Sequence, residues 1–380
     1  MNINLSKKVI FISISCLVII MYLSDVNAAG NNRDVFIAKF DSMDNSINKG
    51  DGYSTYTNEM GTLAWAESYL LEAYLDMYEA TGNSKYLASF VKHADRIVRN
   101  TDQKRGLVDY KERSAVGWSS TKYSANGERI VWLVHSGMIT YPLARFAWLV
   151  KKNRLDVYSS QAKLYTDTTK AAMAFFDQTW VYDAASGKGY YQFFPDEPIS
   201  ANYPPPMPLP FNQQLAAGRT FLMLYEGIGS VQYHQKAEAL ARHFLGYLTK
   251  GSDGAYTWFY WYGKGYDRNK TVEDISHGAI DIDFAVLACR AGTVFTQSDM
   301  NSFLQTYTKK IRKNGKFADF VNGKGEDKFK DSVGRWLELA DFSCVPWNDF
   351  SNLLSSGTLS GHPQVMLGVA KLVKFYGKCK

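Results

Sequence analysis

The stretch that decides the fold class is residues 61–100, which read GTLAWAESYLLEAYLDMYEATGNSKYLASFVKHADRIVRN. Between Gly61 and Ala80 the apolar residues recur at helical spacing. The run Thr81-Gly82-Asn83 interrupts this pattern, and residues 85–100 carry apolar residues on one face and charges on the other. The stretch therefore predicts a hairpin of two helices.

The same hairpin recurs along the chain. Further couplets are predicted at 129–152 with 159–179, at 211–226 with 232–249 and at 273–291 with 298–314, and a last helix at about 362–376. The first helix of a couplet is apolar almost all round, which is typical of a buried helix, whereas the second has one charged face. The sequence therefore predicts an all-α protein, an (α/α) toroid or incomplete barrel of about six to seven helical hairpins.

The N-terminus has the features of a secretory signal peptide. Lys7 and Lys8 precede an apolar run over 9–23, and Val26-Asn27-Ala28 puts small residues at the −3 and −1 positions. We expect a signal peptide over 1–28, one catalytic toroid domain over 29–380, and a periplasmic or secreted protein. The apolar run is too short for a membrane anchor, so stable membrane insertion is not expected.

Three cysteines remain after the signal peptide, and an exported protein meets an oxidising compartment. An odd number permits one disulfide at most. A bond between Cys344 and Cys379 would tie down the C-terminal tail and leave Cys289 as a buried thiol; the other pairings stay open. No CxxC motif or Cys/His cluster indicates zinc.

Aromatic residues are the unusual part of the composition, with 25 Tyr, 22 Phe and 9 Trp. Such rings suit flat, hydroxylated ligands such as sugars. Many of them lie in the linkers that enter the inner helices, where they would share one rim, although about half could be packed in the core instead. The predicted substrate contacts, rings together with polar neighbours, are Trp65, Trp118, Tyr123, Tyr191, Gln213, Trp258, Tyr260, Tyr262 and Asp281.

The charge balance excludes one class of partner. Lys and Arg number 43 against 37 Asp and Glu, a formal charge of +6, and no basic block marks a nucleic-acid tail. The mild excess favours an acidic polysaccharide as partner. The sequence leaves the oligomeric state open.

Two histidines stand near the predicted starts of inner helices. His135 precedes Ser136-Gly137 and His277 precedes Gly278, so the repeat predicts that both imidazoles point inward. Asp281 lies four residues after His277, on the same helix face, where it could hydrogen-bond to the imidazole and raise its basicity. A satisfied core histidine is the alternative reading.

Other polar residues precede or open inner helices. Asn212 and Gln213 follow a proline-rich run over 203–210, and an amide there could donate to a substrate carboxylate or could only cap the helix. Glu273 and Asp274 match a helix N-terminus, where acidic residues satisfy free N–H groups. Carboxylates are numerous enough here for calcium, although the chemistry we predict needs no metal and no cofactor.

Two reactions on sugars need different side chains. Hydrolysis needs two carboxyls roughly 5–9.5 Å apart. The candidate carboxyls form no distinctive pair by spacing: Glu67, Asp109, Glu128, Asp274 and Asp281. β-Elimination from a uronate needs a group that neutralises the carboxylate, a base and an acid. The residue types for that reaction are present: Asn212, His135, His277, Tyr266 and Arg268.

The sequence resembles the α/α-toroid polysaccharide lyases, in particular the alginate or glucuronan lyases of polysaccharide lyase family 38. The resemblance rests on the export signal, the hairpin repeat, Trp65-Ala66-Glu67 and the segment Glu273-Asp274-Ile275-Ser276-His277-Gly278. It implies β-elimination, with Asn212 and either His277 or His135 at the carboxylate. It also implies Tyr266, or Tyr260 or Tyr262 in its place, as proton shuttle, supported by Arg268. The sequence departs from the pattern in which His directly follows Asn, because Gln213 follows Asn212.

Alternative functions stay open. A glycoside hydrolase of the same toroid class would use two carboxylates, and a uronate C5-epimerase would share the proton abstraction. A non-catalytic glycan-binding protein would bind without turnover.

Overall fold

A ring of paired helices forms the protein. The computed structural model describes residues 33–199, 207–263, 266 and 270–380; the predicted signal peptide and Arg268 lie outside these ranges. The inner helices are α2 (Ser68–Thr81), α5 (Leu133–Lys152), α7 (Phe211–Ile228), α9 (Ile275–Arg290), a 3₁₀ helix (Lys330–Asp341) and α12 (Pro363–Lys374). The outer helices are α1 (33–46), α3 (Lys85–Arg99), α6 (Ser159–Ala174), α8 (Val231–Leu245), α10 (Gln297–Gln305) and α11 (Val345–Ser355).

The ring closes through contacts between neighbouring inner helices. In chain order α2, α5, α7, α9, the 3₁₀ helix and α12 each pack on the next, and α12 packs back on α2. Outer helices α3, α6, α8, α10 and α11 pack on the inner helices that precede them. The predicted all-α toroid is confirmed.

Short elements fill the connections. They are the π-helical turns Leu63–Glu67 and Thr306–Ile311, α4 (Asp102–Arg105) and α13 (Tyr376–Cys379), and three antiparallel hairpins: β1 (Trp180–Asp183) with β2 (Lys188–Tyr191), β3 (Thr249–Lys250) with β4 (Tyr256–Thr257), and β5 (Arg312–Lys313) with β6 (Lys316–Phe317). The helix pattern did not predict these hairpins, nor the helices between 315 and 361.

Small residues let inner helices approach each other closely. A Cβ on Gly137 of α5 would lie 2.6 Å from backbone atoms of Ala216 and Ala217 in α7. Gly334 and Gly368 face each other, so that the Cα of Gly368 lies 2.7 Å from a Cβ placed on Gly334. Larger side chains at these positions would force the helices apart.

Buried ion pairs join the inner helices across the middle of the ring. On α12, Lys371 Nζ lies 3.1 Å from Glu72 Oε1 and 3.3 Å from Asp76 Oδ2 of α2, and it also donates to Glu338 of the 3₁₀ helix. The layer is completed by Arg145 of α5 with Asp76, and by Arg219 of α7 with Asp283 of α9 and Glu72. Every inner helix thus contributes at least one charge to this layer, which we call the ionic layer.

The ionic layer keeps its groups charged although they are buried. Burial would lower the pKa of Lys371, but the carboxylates of Asp76, Glu338 and Glu72 raise it well above its ordinary value. Burial would raise the pKa of Glu338, but Lys371 and neighbouring cations hold it well below its ordinary range. The pairing therefore compensates the desolvation of both partners.

The C-terminal tail carries the predicted disulfide. Cys344 and Cys379 are bonded, and Cys289 is a free, half-buried thiol. Within the described ranges, none of the helices combines the length and the apolarity that a bilayer crossing requires.

Replacing Lys371 by Met should destabilise the fold strongly. The substitution leaves buried carboxylates without their cation, which costs about 3–5 kcal/mol of unfolding free energy. Lys378→Met is the matched control, since Lys378 is about half exposed and pairs with Asp341 at the surface, where an ion pair contributes about 0–1 kcal/mol. Urea unfolding of both variants measures the difference, and equal losses would contradict the role of the ionic layer.

Candidate active site

One cavity opens at the end of the ring where the inner helices begin. It has a volume of about 590 Å³. Its lining is mostly aromatic with a few convergent polar groups: Trp65, Tyr69, Tyr123, Trp132, Val134, His135, Phe193, Ile199, Asn212, Gln213, Tyr260, Trp261, Ser276, His277, Arg335, His362 and Gln364. This combination is typical of a ligand site.

The first turns of inner helices bring the polar groups together. His135 lies in the first turn of α5, Asn212 and Gln213 in that of α7, His277 in that of α9 and Gln364 in that of α12. The positive ends of these helix dipoles therefore border the cavity.

His277 forms a dyad with the residue that caps its own helix. Asp274 Oδ1 accepts from the backbone N–H groups of Ser276 and His277, while Oδ2 accepts from His277 Nδ1 at 2.7 Å. Burial would raise the pKa of Asp274, but these hydrogen bonds bring it below its ordinary value. His277 therefore keeps its proton on Nδ1, which leaves Nε2 for the cavity.

The predicted hydrogen bond between His277 and Asp281 is wrong. Asp281 is fully buried and accepts from Trp258 Nε1 at 2.8 Å. Gly278, the residue after His277, leaves room for the neighbouring 3₁₀ helix, because a Cβ there would meet Trp336 together with Trp258 and Val321.

His135 is a buried, neutral histidine in the cavity wall. Asn58 Nδ2 lies 3.1 Å from its Nδ1. Burial, helped by the charge of Lys122, lowers the pKa of His135 to about 3. The ring is therefore uncharged at neutral pH.

Aromatic rings connect the two histidines. The Trp65 ring makes edge contacts with His135 at 5.6 Å and with His277 at 6.3 Å between centroids. Tyr260 lies 5.4 Å from His277 and Tyr123 lies 5.5 Å from His135. Burial raises the pKa of Tyr260, so its hydroxyl stays protonated at neutral pH.

Three buried polar atoms of lining residues have no hydrogen-bond partner among the described residues. They are Asn212 Oδ1, Gln213 Oε1 and Trp132 Nε1. Buried polar groups are nearly always paired, so three such atoms at one cavity indicate a polar ligand. Asn212 does not cap its helix, since the cap position is Pro210.

Sequence reasoning missed Arg335, the one Lys or Arg in the described lining. Its guanidinium donates to the Ser276 carbonyl at 2.9 Å and lies 4.7 Å from the Tyr69 ring. The apolar spacing of Val333, Trp336 and Leu337 was a signal for a helical segment that could have found it. His362 caps α12 and also lines the cavity.

Several predicted substrate contacts are core residues in the structure. Trp118 donates to the Ile97 carbonyl, Tyr191 pairs through its backbone with Gln214, and Tyr262 stacks on Phe211 at 3.8 Å. Each is buried, and none lines the cavity, because the linkers fold back onto the helices; the same holds for Trp258 and Asp281.

Tyr266, the predicted proton shuttle, also lies outside the lining. Its ring stacks on Trp261 at 4.7 Å and its hydroxyl donates to the Pro208 carbonyl. Trp261 lines the cavity, so Tyr266 lies behind the cavity wall. Tyr260 is the tyrosine that contacts His277.

No Asp or Glu belongs to the described lining. Glu67 is buried against His93 Nδ1 at 2.6 Å. Glu273 and Asp281 are also fully buried, and burial raises the pKa of both carboxyls well above ordinary values. These carboxyls are buried in the protein core and do not line the cavity.

One group of side chains has metal-ligand spacing. Glu273, Asp274 and His277 offer ligand atoms within 4.8 Å of one another. A metal ion there would replace the hydrogen bond between His277 and Asp274. It would also bind Glu273 Oε2, which has no hydrogen-bond partner among the described residues.

The closed ring of helix hairpins places the chain in the α/α-toroid fold class. A solved unsaturated glucuronyl hydrolase from Bacillus sp. GL1 is similar over 82% of this chain and 86% of that chain, with a TM-score of 0.53 and 13% identity. A family 76 glycoside hydrolase from a bovine Bacteroides thetaiotaomicron strain is similar over 83% and 69%, with a TM-score of 0.51 and 14% identity. At these identities the likeness shows the fold alone. No protein-family model matches the sequence, and no curated protein does.

Acidification should destabilise the protein through His135. Its pKa is about 3 in the folded state against about 6.5 when unfolded, so the unfolded state binds the proton first as the pH falls. The contribution of His135 to the free energy of unfolding is therefore fully present above about pH 6.5, and it declines by roughly 1.4 kcal/mol per pH unit below that value. His135→Gln should flatten this slope in urea unfolding at pH 7 and pH 5. His243, buried elsewhere with a pKa of about 4, provides a comparison variant. An unchanged slope in His135→Gln would contradict the neutral buried ring.

Proposed function

We propose that this protein is a carbohydrate-active enzyme, a polysaccharide lyase that cleaves a uronic-acid-containing polysaccharide of the alginate or glucuronan type by β-elimination. One observation carries the proposal: the cavity joins the imidazoles of His135, His277 and His362 with Arg335 and several helix N-termini, while its described lining holds no carboxylate. Such a site attracts the carboxylate of a uronate and offers nitrogen bases for proton transfer.

The substrate carboxylate would bind among donors. Arg335, the amides of Asn212 and Gln213, and the neutral imidazole of His135 can all donate hydrogen bonds to it. These groups stabilise the negative charge that moves onto the carboxylate when the adjacent C–H proton leaves. The surrounding rings, Trp65 among them, provide flat surfaces for the sugar.

Proton transfer would then involve His277 and Tyr260. His277 Nε2 takes the proton from C5 while Asp274 stabilises the resulting imidazolium. As the C4–O bond breaks and the C4–C5 double bond forms, Tyr260 gives its hydroxyl proton to the leaving oxygen. The imidazolium of His277 returns a proton to the tyrosinate, which resets both groups.

A glycoside hydrolase is the main competitor, because solved neighbours with this fold are hydrolases by name. Two carboxyls would have to flank the scissile bond. Asp274 is the nearest candidate, but its oxygens are occupied by His277 and by the helix start. The described lining therefore favours proton transfer by imidazole.

A uronate C5-epimerase is the second candidate function. The presence of several imidazoles in one cavity favours it, since one can remove a proton and another group can return it from the opposite face. Epimerisation would incorporate deuterium from heavy water without making an unsaturated product.

Export is part of the proposal. The disulfide between Cys344 and Cys379 supports it, because such bonds persist in oxidising compartments. Fractionation of cells that express the full chain tests it, and retention of the protein in the cytoplasm would contradict it.

A panel of acidic polysaccharides tests the reaction class. β-Elimination creates a conjugated double bond that absorbs in the ultraviolet, whereas hydrolysis creates reducing ends without that absorbance. The neutral counterparts of the same polymers serve as controls. Reducing ends without absorbance would overturn the lyase assignment, and binding without products would indicate a glycan-binding protein.

His277→Ala should lower kcat on the degraded polyuronate by roughly 10²–10⁴, because it removes the base. Arg335→Ala should raise KM and also lower kcat, because its guanidinium binds the substrate carboxylate and binds it more strongly as negative charge develops in the transition state. His234→Gln, on outer helix α8, is the control and should leave both constants unchanged. Steady-state kinetics on all three variants measures this, and full activity of His277→Ala would refute the assignment of the base.

A further inference from the structure

Asn58 is a buried residue whose side chain has a fixed orientation. Its Oδ1 accepts from the backbone N–H of Ala64 at 3.2 Å, and its Nδ2 donates to the Trp118 carbonyl at 2.7 Å. A flipped amide would place oxygen against the carbonyl and N–H₂ against the N–H, so that both contacts would be repulsive. The second hydrogen of Nδ2 therefore points at His135 Nδ1, 3.1 Å away.

This contact determines which nitrogen of His135 carries the proton. Since Asn58 donates to Nδ1, Nδ1 must be the lone-pair nitrogen and Nε2 must bear the hydrogen. The ring lines the cavity, and Nε2 makes no hydrogen bond to another described residue. His135 consequently presents an N–H donor to a ligand.

His277 has the opposite arrangement. Its Nδ1 donates to Asp274, so its Nε2 presents a lone pair. These two of the three imidazoles that line the cavity are thus set as a donor and an acceptor by different partners, an amide for His135 and a carboxylate for His277.

We propose that Asn58 is a positioning residue that keeps His135 as a hydrogen-bond donor and thereby leaves His277 as the only base of the pair. The inference rests on the proposed function, for which it assigns the direction of proton transfer: His135 binds the carboxylate and cannot take the C5 proton. Asn58 acts through His135 and does not itself line the cavity.

The tautomer can be measured without any substrate. Two-bond ¹H–¹⁵N correlation spectra of the ¹⁵N-labelled full chain distinguish a protonated Nε2 from a protonated Nδ1, and His135→Gln assigns the signals. In the wild type we expect the proton on Nε2 from neutral pH down to near the pKa of about 3. A proton on Nδ1 in the wild type would overturn the inference before any variant is made.

Asn58→Asp keeps the shape of the side chain but turns both Nδ2 contacts, with His135 Nδ1 and with the Trp118 carbonyl, from donor to acceptor. The carboxylate accepts from Nδ1, so the proton should move to Nδ1 and the pKa of His135 should rise. The kcat on the degraded polyuronate should fall by roughly 10²–10³, as for loss of an oxyanion donor. Asn48→Asp is the control for loss of an amide-to-carbonyl bond, because exposed Asn48 likewise donates to a carbonyl, that of Gly52, but away from the cavity.

The outcomes separate this inference from the proposed function. If the spectra show the expected tautomers and no polyuronate is cleaved, the lyase assignment fails and the role of Asn58 stands. If Asn58→Asp keeps the Nε2 proton or the full kcat, the role of Asn58 fails whatever the reaction is.

Discussion

The buried ion pairs across the ring are the constraint on which the rest of the structure depends. Each inner helix carries cavity residues toward its N-terminal end and a charge one to three turns further on, such as His135 and Arg145 in α5 or Asn212 and Arg219 in α7. Because a buried charge without its partner is costly, every inner helix must keep its rotation and height relative to the others. That requirement fixes where the first turns point, and therefore fixes the cavity.

The ionic layer also separates two electrostatic environments. Beneath the cavity, carboxylates such as Glu72 and Asp283 are neutralised by Lys371 and Arg219. Above the ionic layer, helix N-termini and Arg335 face the cavity, and the described lining adds no negative charge. One cation and several positive helix ends above a neutralised floor are the features on which the proposal of a uronate over a neutral sugar rests.

The sequence predicted the hairpins well because apolar periodicity is a local property. It predicted the inward histidines for the same reason, since the repeat places both near a helix start. Sequence reasoning was wrong where packing between residues far apart in the chain determines the partner of a side chain. The i,i+4 rule paired His277 with Asp281. In the structure His277 bonds to the cap residue Asp274, three residues earlier, and Asp281 accepts from Trp258. Arg335 was missed because no helix was predicted between residues 315 and 361, so its segment had no assigned place in the ring. Ring counts could not tell Trp65, in the cavity, from Trp118, in the core.

A toroid of this kind is a scaffold, and its chemistry depends on which side chains occupy the helix starts. Hydrolysis needs carboxyls that reach the ligand, yet here Glu67, Glu273 and Asp281 are fully buried, and Glu67 and Asp281 bond to core partners. Proton abstraction needs a base with an exposed lone pair and a separate donor for the developing charge. Asp274 provides the first by holding the proton of His277 on Nδ1, and Asn58 provides the second by filling Nδ1 of His135. The imidazoles of His135 and His277 have the same intrinsic chemistry, so their different partners determine which ring donates a hydrogen bond and which ring can accept a proton.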